Sequence, residues 1–424
     1  MADHGGSWRR AGAALAYRDY RLFFTGAVVS NIGTWMQNIT VPYVLFQLTG
    51  SGVWVGLAVV AQILPSILLN PISGSLADRF SHRNQLRLAQ LVAGLATFGL
   101  AGMWAAGGRS PVAILVLVAV GGTAMMVVQP AWQSFAADLV PPEHLLNALT
   151  LNSAQSNAAR AVGPAIGGII LGTLGPGWAF LLNGCSFVVV LTTLALLRPP
   201  ERHAERAAGR VLDQYREAAA YARRHTGMLT AYALTAVVCG IGYPVFQLAA
   251  LFASEVYDVG PGWYGALTGA YGVGAVVGAL LLGLLGSGRR RSEILRVVLV
   301  VNAVALLGMG ASTSFWIGAP MLALVGGGSL CVVAIVNTAV QTAAPPAMRG
   351  RLLALWVLSY TVSYPLGSLA QGALAEHVGV RPTVTGAGLL TCVAAAVLLT
   401  RPAIARTLDG SAPVTVAEGA PVTG

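Results

Sequence analysis

The sequence predicts an all-α membrane protein of twelve transmembrane helices, arranged as two pseudo-symmetric six-helix bundles. Three observations carry this. Only 9% of the 424 residues are charged and 56% are hydrophobic, whereas a soluble domain carries about 25% charged residues; a mean hydropathy of +0.71 requires lipid as part of the solvent. Twelve mainly apolar stretches each approach the roughly 20 residues that cross a bilayer. The arginines fall almost entirely into every second connection.

The stretches lie at 22–48, 53–76, 86–107, 111–136, 146–174, 178–197, 227–254, 263–286, 293–311, 314–341, 351–375 and 381–400, spans 1 to 12. The first is too long, too polar and too late for a cleaved signal, so the spans themselves are expected to target the chain. Of 25 basic residues, all arginine, 22 lie on one side: in the tail before span 1, around Arg79–Arg87, between Arg198 and Arg224, at Arg289–Arg296, at Arg349 and Arg351, and after span 12. The other connections hold only Arg109 and Arg381, and Arg160 sits inside span 5. The positive-inside rule places the arginine-rich side, with both termini, in the cytoplasm. The net charge of +10 therefore reflects topology, and no basic patch with interleaved aromatics predicts nucleic-acid binding.

The organisation that follows is a cytoplasmic tail at 1–21, a first bundle at 22–197, a cytoplasmic linker with an amphipathic helix at 198–226, a second bundle at 227–400 and a tail at 401–424. The last tail, rich in Ala, Pro, Val, Thr and Gly, is expected to be disordered. The halves echo one another: Pro141-Pro142 follows span 4 as Pro345-Pro346 follows span 10, and Gly163-Pro164 matches Tyr364-Pro365. Duplicated six-helix halves are what alternating-access transporters rock about a central site.

Several chemistries are excluded. Without lysine there is no P-loop and no pyridoxal Schiff base. Cys185, Cys239, Cys331 and Cys392 stand singly in apolar stretches, and no histidine pair has metal-ligand spacing, so no metal and no cofactor is expected. No HExxH, GxSxG or intramembrane acid pair suggests an enzyme.

After span 2 the chain reads Gly74-Ser75-Leu76-Ala77-Asp78-Arg79-Phe80-Ser81-His82-Arg83. This resembles the loop signature of the major facilitator superfamily, GxLaDrxGrr, with Ser81 in place of the usual Gly and His82 in place of a basic residue. The resemblance implies that Gly74, Asp78, Arg79 and Arg83 couple the gate between the halves. Span 5 carries Gly163, Pro164, Gly167 and Gly168, similar to the GPxxGG signature of exporters and antiporters; close helix packing explains the glycines equally well. Trp35-Met36-Gln37, Leu48-Thr49-Gly50-Ser51 and Tyr215-Arg216-Glu217 resemble the enterobactin-exporter-like branch, the transmembrane secretion effectors. That branch implies export of a drug, siderophore or other small organic molecule, driven by proton antiport, by a monomer in the bacterial plasma membrane surrounded by lipid. Asp78 and Glu255 are the candidate proton carriers, although span 4 lacks the arginine many proton antiporters carry. An importer on the same scaffold, or a non-transporting scaffold or sensor, stays open.

Polar and aromatic residues recur at helical spacing: Asn31, Trp35 and Asn38 in span 1; Gln129 and Gln133 in span 4; Asn152, Ser156 and Arg160 in span 5; Asn337 and Gln341 in span 10; Trp356, Tyr360 and Tyr364 in span 11. In lipid such faces turn inward, either as helix glue or as cavity lining. Arg160 lies about 22 Å into its span at 1.5 Å per residue, where an arginine costs about 2.5–3.5 kcal/mol. Either helix carbonyls and amides satisfy it, or it faces a cavity that takes anionic or acceptor-rich groups.

Overall fold

A computed structural model describes residues 12–77, 81–197, 211–286, 288–346, 348–400 and 407–409. Spans 1 to 3 are Arg18–Thr49, Gly52–Ala77 and His82–Ala105. Span 4 consists of Pro111–Val127 and Gln129–Asp138, bent by 47° where the sequence predicts one continuous rod. The bend falls where Gln129-Pro130 begins the second piece, since proline cannot donate into the preceding turn. Spans 5 and 6 are Leu145–Thr173 and Pro176–Leu196. The linker helix Val211–Arg224 precedes span 7, Thr226–Val256. Spans 8 to 12 are Pro261–Leu285, Arg291–Ala311, Phe315–Ala343, Arg349–Val378 and Val380–Thr400. The described residues include no strand.

By length and apolarity alone, eight of these helices qualify as membrane-crossing, nine with the bent span 4. The longer shortfalls are informative. Spans 1 and 5 run 32 and 29 residues, ample to cross, but their asparagines, glutamines and Arg160 dilute their apolarity. Helices that carry polar groups at depth must turn them toward protein or water.

The two halves repeat in detail. Ser110 caps span 4 by accepting from the Ala113 N–H, and Ser314 caps span 10 by accepting from the Trp316 N–H. Gly175 and Gly379 make the tight turns 5–6 and 11–12 with φ of 85° and 88°, a region that glycine alone enters freely. Arg83 and Arg87 donate to the Leu194 carbonyl at the end of span 6. Arg296 does the same to Leu398 at the end of span 12. Cations there also meet the negative end of the helix dipole.

Each half has its own apolar clusters, around Phe23, Phe135 and Leu194, and around Leu100 and Phe180, in the first, and around Leu295, Val336 and Leu352 in the second. A further cluster joins Ile39, Phe46 and Leu171 of the first half to Phe252, Tyr264 and Leu322 of the second. Of the last tail, residues 407–409 are described. They form a 3-10 turn in which Leu408 is buried and Asp409 accepts from the Ser292 N–H and hydroxyl, capping span 9.

Candidate substrate-binding site

Arg160 stands in the middle of span 5, at the junction of the halves. Its Cζ lies 5.0 Å from the centre of the Trp35 ring on span 1, a cation–π contact worth about 0.5–2 kcal/mol. The second half surrounds it with phenols: the Tyr243, Tyr271 and Tyr360 hydroxyls lie within electrostatic reach of the guanidinium. Tyr243 sits at the hub of these rings. Its centroid is 6.1 Å from those of Tyr271 and Tyr360, and 5.8 Å from that of Tyr364. Phe246 links the cage to Trp35, 5.0 Å from Tyr271 and 6.1 Å from Trp35.

The energies around Arg160 do not balance. The ring contact offsets only part of the cost of placing the charge at this depth, about 2.5–3.5 kcal/mol. The Nε–H is buried without an acceptor, which costs about 1–3 kcal/mol, and no carboxylate pairs with the guanidinium among the described residues. The Tyr271 hydroxyl, close to Tyr243, also completes no hydrogen bond of sound geometry. The cage thus offers a positive charge, unspent polar groups and ring faces.

Local structure explains how Tyr243 reaches this position. Span 7 widens into a π-turn over Val238–Gly242, with the Tyr243 N–H donating to Val238 O, five residues back. Pro244, lacking an N–H, cannot satisfy the carbonyls behind it. Gln371 of span 11 does so instead, its Nε2 donating to Gly240 O at 3.3 Å and Ile241 O at 2.8 Å. Span 11 can approach because residue 367 is glycine: a Cβ there would come within 1.8 Å of Gly240 O. A second π-turn covers Phe252–Val256.

The predicted site residues divide by place. Asn31 donates to Gln155, which donates to Asn152, an amide chain joining spans 1 and 5 on the Arg160 face. Ser156 shares that face, partly buried. Asn38 accepts from Gln62 at 3.0 Å; with Gln37 and Gln247 they line a cavity of about 20 Å³, room for one water. Tyr360 joins the cage. Trp356 does not: it is buried in the second-half core and donates to Thr235 at 2.8 Å. Asn337 and Gln341 pair with each other along span 10. Gln129 and Gln133 are exposed beyond the bend of span 4 and take no part in the cage. Glu255 is exposed near the end of span 7. Gly74 ends within span 2, while Asp78 and Arg79 lie outside the described residues.

Glycines account for how the halves meet on the side away from the arginine-rich face. Gly163 and Gly167 pack on Trp35 and Met36 of span 1, while a Cβ on Gly168 would come within 2.3 Å of the Gly265 Cα on span 8. Gly52 and Gly56 of span 2 press likewise on the backbones of Gly372 and Ser368. Polar contacts join this seam: Tyr264 donates to Ile39 O at 3.0 Å, and Glu376 accepts from the Ser51 hydroxyl and from the Val53 N–H. On the arginine-rich side His82 meets Asp138 at 3.2 Å and Arg351 pairs with Glu217 of the linker helix.

Sequence reasoning missed Tyr243, Tyr271, Gln155, Gln247 and Gln371. One signal was present: Tyr243-Pro244 repeats as Tyr364-Pro365, and both tyrosines face one another.

The family profile described as transmembrane secretion effector matches residues 10–414. The chain belongs to that family, within the major facilitator superfamily. This secretion effector is 27% identical over 381 residues to an uncharacterized MFS-type transporter of Bacillus subtilis, covering 83% of this chain and 85% of that one. It is 25% identical over 383 residues to the enterobactin exporter EntS of Citrobacter koseri, covering 88% and 89%. Its fold resembles a bacterial homologue of the human lysosomal transporter Spinster in an inward-facing, unoccupied conformation, with a TM-score of 0.73, 14% identity, and coverage of 92% and 98%. A bacterial homologue of the iron transporter ferroportin, inward-facing, gives 0.70 and 18%, with coverage of 90% and 98%. The chain is a major facilitator transporter.

Proposed function

We propose that this transporter exports a small organic molecule from the cytoplasm across a bacterial plasma membrane by alternating access, with proton antiport as the driving force. The observation that carries the reading is Arg160, a charge between the halves with no ion-pair partner among the described residues, set among Trp35 and four tyrosines. Such a site suits an amphipathic cargo with an anionic or acceptor-rich group, of the drug, siderophore or secondary-metabolite kind. With the arginine-rich face and both termini assigned to the cytoplasm, the glycine seam closes the outer side and the cage faces inward. The enterobactin exporters among the relatives support the outward direction. Asp78 on the inner side and Glu255 on the outer are the proposed proton carriers.

Inside-out vesicles test direction and site together. When energised they should accumulate the cargo identified by comparing metabolites of deletion and parent cells. Arg160→Gln should lower uptake at least tenfold; undiminished uptake by that variant would reject the assignment of the site. Accumulation only in right-side-out vesicles would show import instead.

A further inference from the structure

We propose that the groove on the lipid-facing surface of spans 8, 9 and 10 binds one phospholipid whose headgroup carries a primary ammonium beside its phosphate. The groove begins with missing side chains. Spans 8 and 10 meet backbone to backbone: a Cβ on Gly274 would strike Ala323 O at 1.8 Å, and one on Gly278 would lie 2.8 Å from Gly327. The floor is therefore sunk between taller walls, with Leu281 and Leu285 on span 8 and Val297 and Val301 on span 9, all exposed. The cavity so formed measures about 740 Å³ and is almost wholly apolar until its arginine-rich end, where Arg289 and Glu293 close it.

Length and charge together select the occupant. From Val273 to Leu285, the last helical residue of span 8, the groove runs about 18 Å at 1.5 Å per residue, more than the roughly 15 Å of one leaflet's hydrocarbon, half of about 30 Å. An acyl chain laid in it from the nearer leaflet brings its headgroup to Arg289 and Glu293. Both side chains are exposed, and neither forms an ion pair with the other or with another described residue. A guanidinium presents paired donors to a phosphate, and a carboxylate accepts from an ammonium, which has up to three N–H donors. The pair thus complements a phosphate and an ammonium held a few atoms apart.

The first half supplies an internal contrast. The matching groove on spans 2, 3 and 4 is about 950 Å³, also apolar, with Arg87 near its mouth. There the guanidinium already donates to Leu194 O at 3.0 Å, and no carboxylate stands among the described lining residues. Among the described residues that groove can hold a chain but offers no carboxylate to an ammonium. Headgroup selection by the second-half groove is independent of which way transport runs.

The test is native mass spectrometry of the purified full chain. It is titrated with phosphatidylethanolamine and, in parallel, with chain-matched phosphatidylcholine, whose trimethylated nitrogen has no N–H, and with chain-matched phosphatidylglycerol. Phosphatidylethanolamine should bind about fivefold more tightly than phosphatidylcholine, about 1 kcal/mol. Glu293→Gln should bring that ratio to one, and Arg289→Gln should weaken all three lipids. Both positions are exposed, so folding is not at stake. Equal binding of ethanolamine and choline lipids, or an ethanolamine preference that survives Glu293→Gln, would overturn the proposal. Tighter binding of phosphatidylglycerol than of phosphatidylethanolamine would overturn it as well, leaving Arg289 as a plain anion contact.

Discussion

The two halves share a scaffold but bring different chemistry to their junction. The first contributes a cation and amides on continuous α-helices: Arg160, Asn31 and Gln155 on spans 1 and 5. The second contributes rings, Tyr243, Tyr271, Tyr360 and Tyr364, and the helix presenting the central one is widened by a π-turn. The shared devices are those that build a six-helix unit, such as the Ser110 and Ser314 caps, the Gly175 and Gly379 turns, and the arginine bonds to Leu194 and Leu398. Duplication preserves what each bundle needs to fold. The face where the bundles meet is released from symmetry, and there charge went to one side and aromatic surface to the other.

The largest expected effect breaks the seam both halves need. Gly168→Val sets a branched side chain against the Gly265 backbone; overpacking of about 1–3 kcal/mol should shift the conformational equilibrium roughly 5- to 150-fold away from the closed seam. Electron-spin distances between labels at the far ends of spans 2 and 11 should lengthen. The next prediction tests the division of labour. Arg160→Gln should reduce transport at least tenfold, whereas Tyr243→Phe, which keeps the ring and loses only the hydroxyl dipole near the cation, should cost about two- to tenfold, about 0.4–1.4 kcal/mol. Equal losses in vesicle transport would show that charge and rings act as one unit. Third, Gln371→Leu leaves the Gly240 and Ile241 carbonyls without their donor and should destabilise the second half by about 1–3 kcal/mol, read as a lower thermal midpoint. Smallest is Trp356→Phe, which loses the bond to Thr235 but keeps an aromatic ring in the core. It should cost about 1 kcal/mol of stability and leave the cargo preference unchanged.

Much of the fold was legible because lipid imposes a coarse rule. Apolar length marks each crossing, and arginine placement marks each alternate connection. The glycines of span 5 were visible as a close-packing face, though which neighbour each touched was not. Gly163 and Gly167 serve span 1, while Gly168 serves the opposite half. Arg160 announced itself by cost alone. Its partners were hidden because a tyrosine in an apolar span is ordinary, and only the π-turn aims Tyr243 at the guanidinium. Trp356 shows the converse: its spacing with Tyr360 and Tyr364 suggested one stripe, but four-residue steps drift around a 3.6-residue helix. The drift, with Thr235 as a partner, takes Trp356 into the core. The bend of span 4 removed Gln129 and Gln133 from the shared face in the same way.

The widened turn of span 7 has a consequence for how the cage can come apart. A π-turn holds one residue more than an α-helical turn, and each residue of an α-helix advances about 100° around the axis. Were the extra residue to pass from Val238–Gly242 to the far side of Tyr243, that ring would swing by about that angle while both ends of the helix kept their places. Gln371 is the residue that would have to let go, since it donates to the carbonyls of Gly240 and Ile241. A single amide on span 11 therefore stands as the catch on a one-residue register slip, able to unload the ring from the cation without moving a whole bundle.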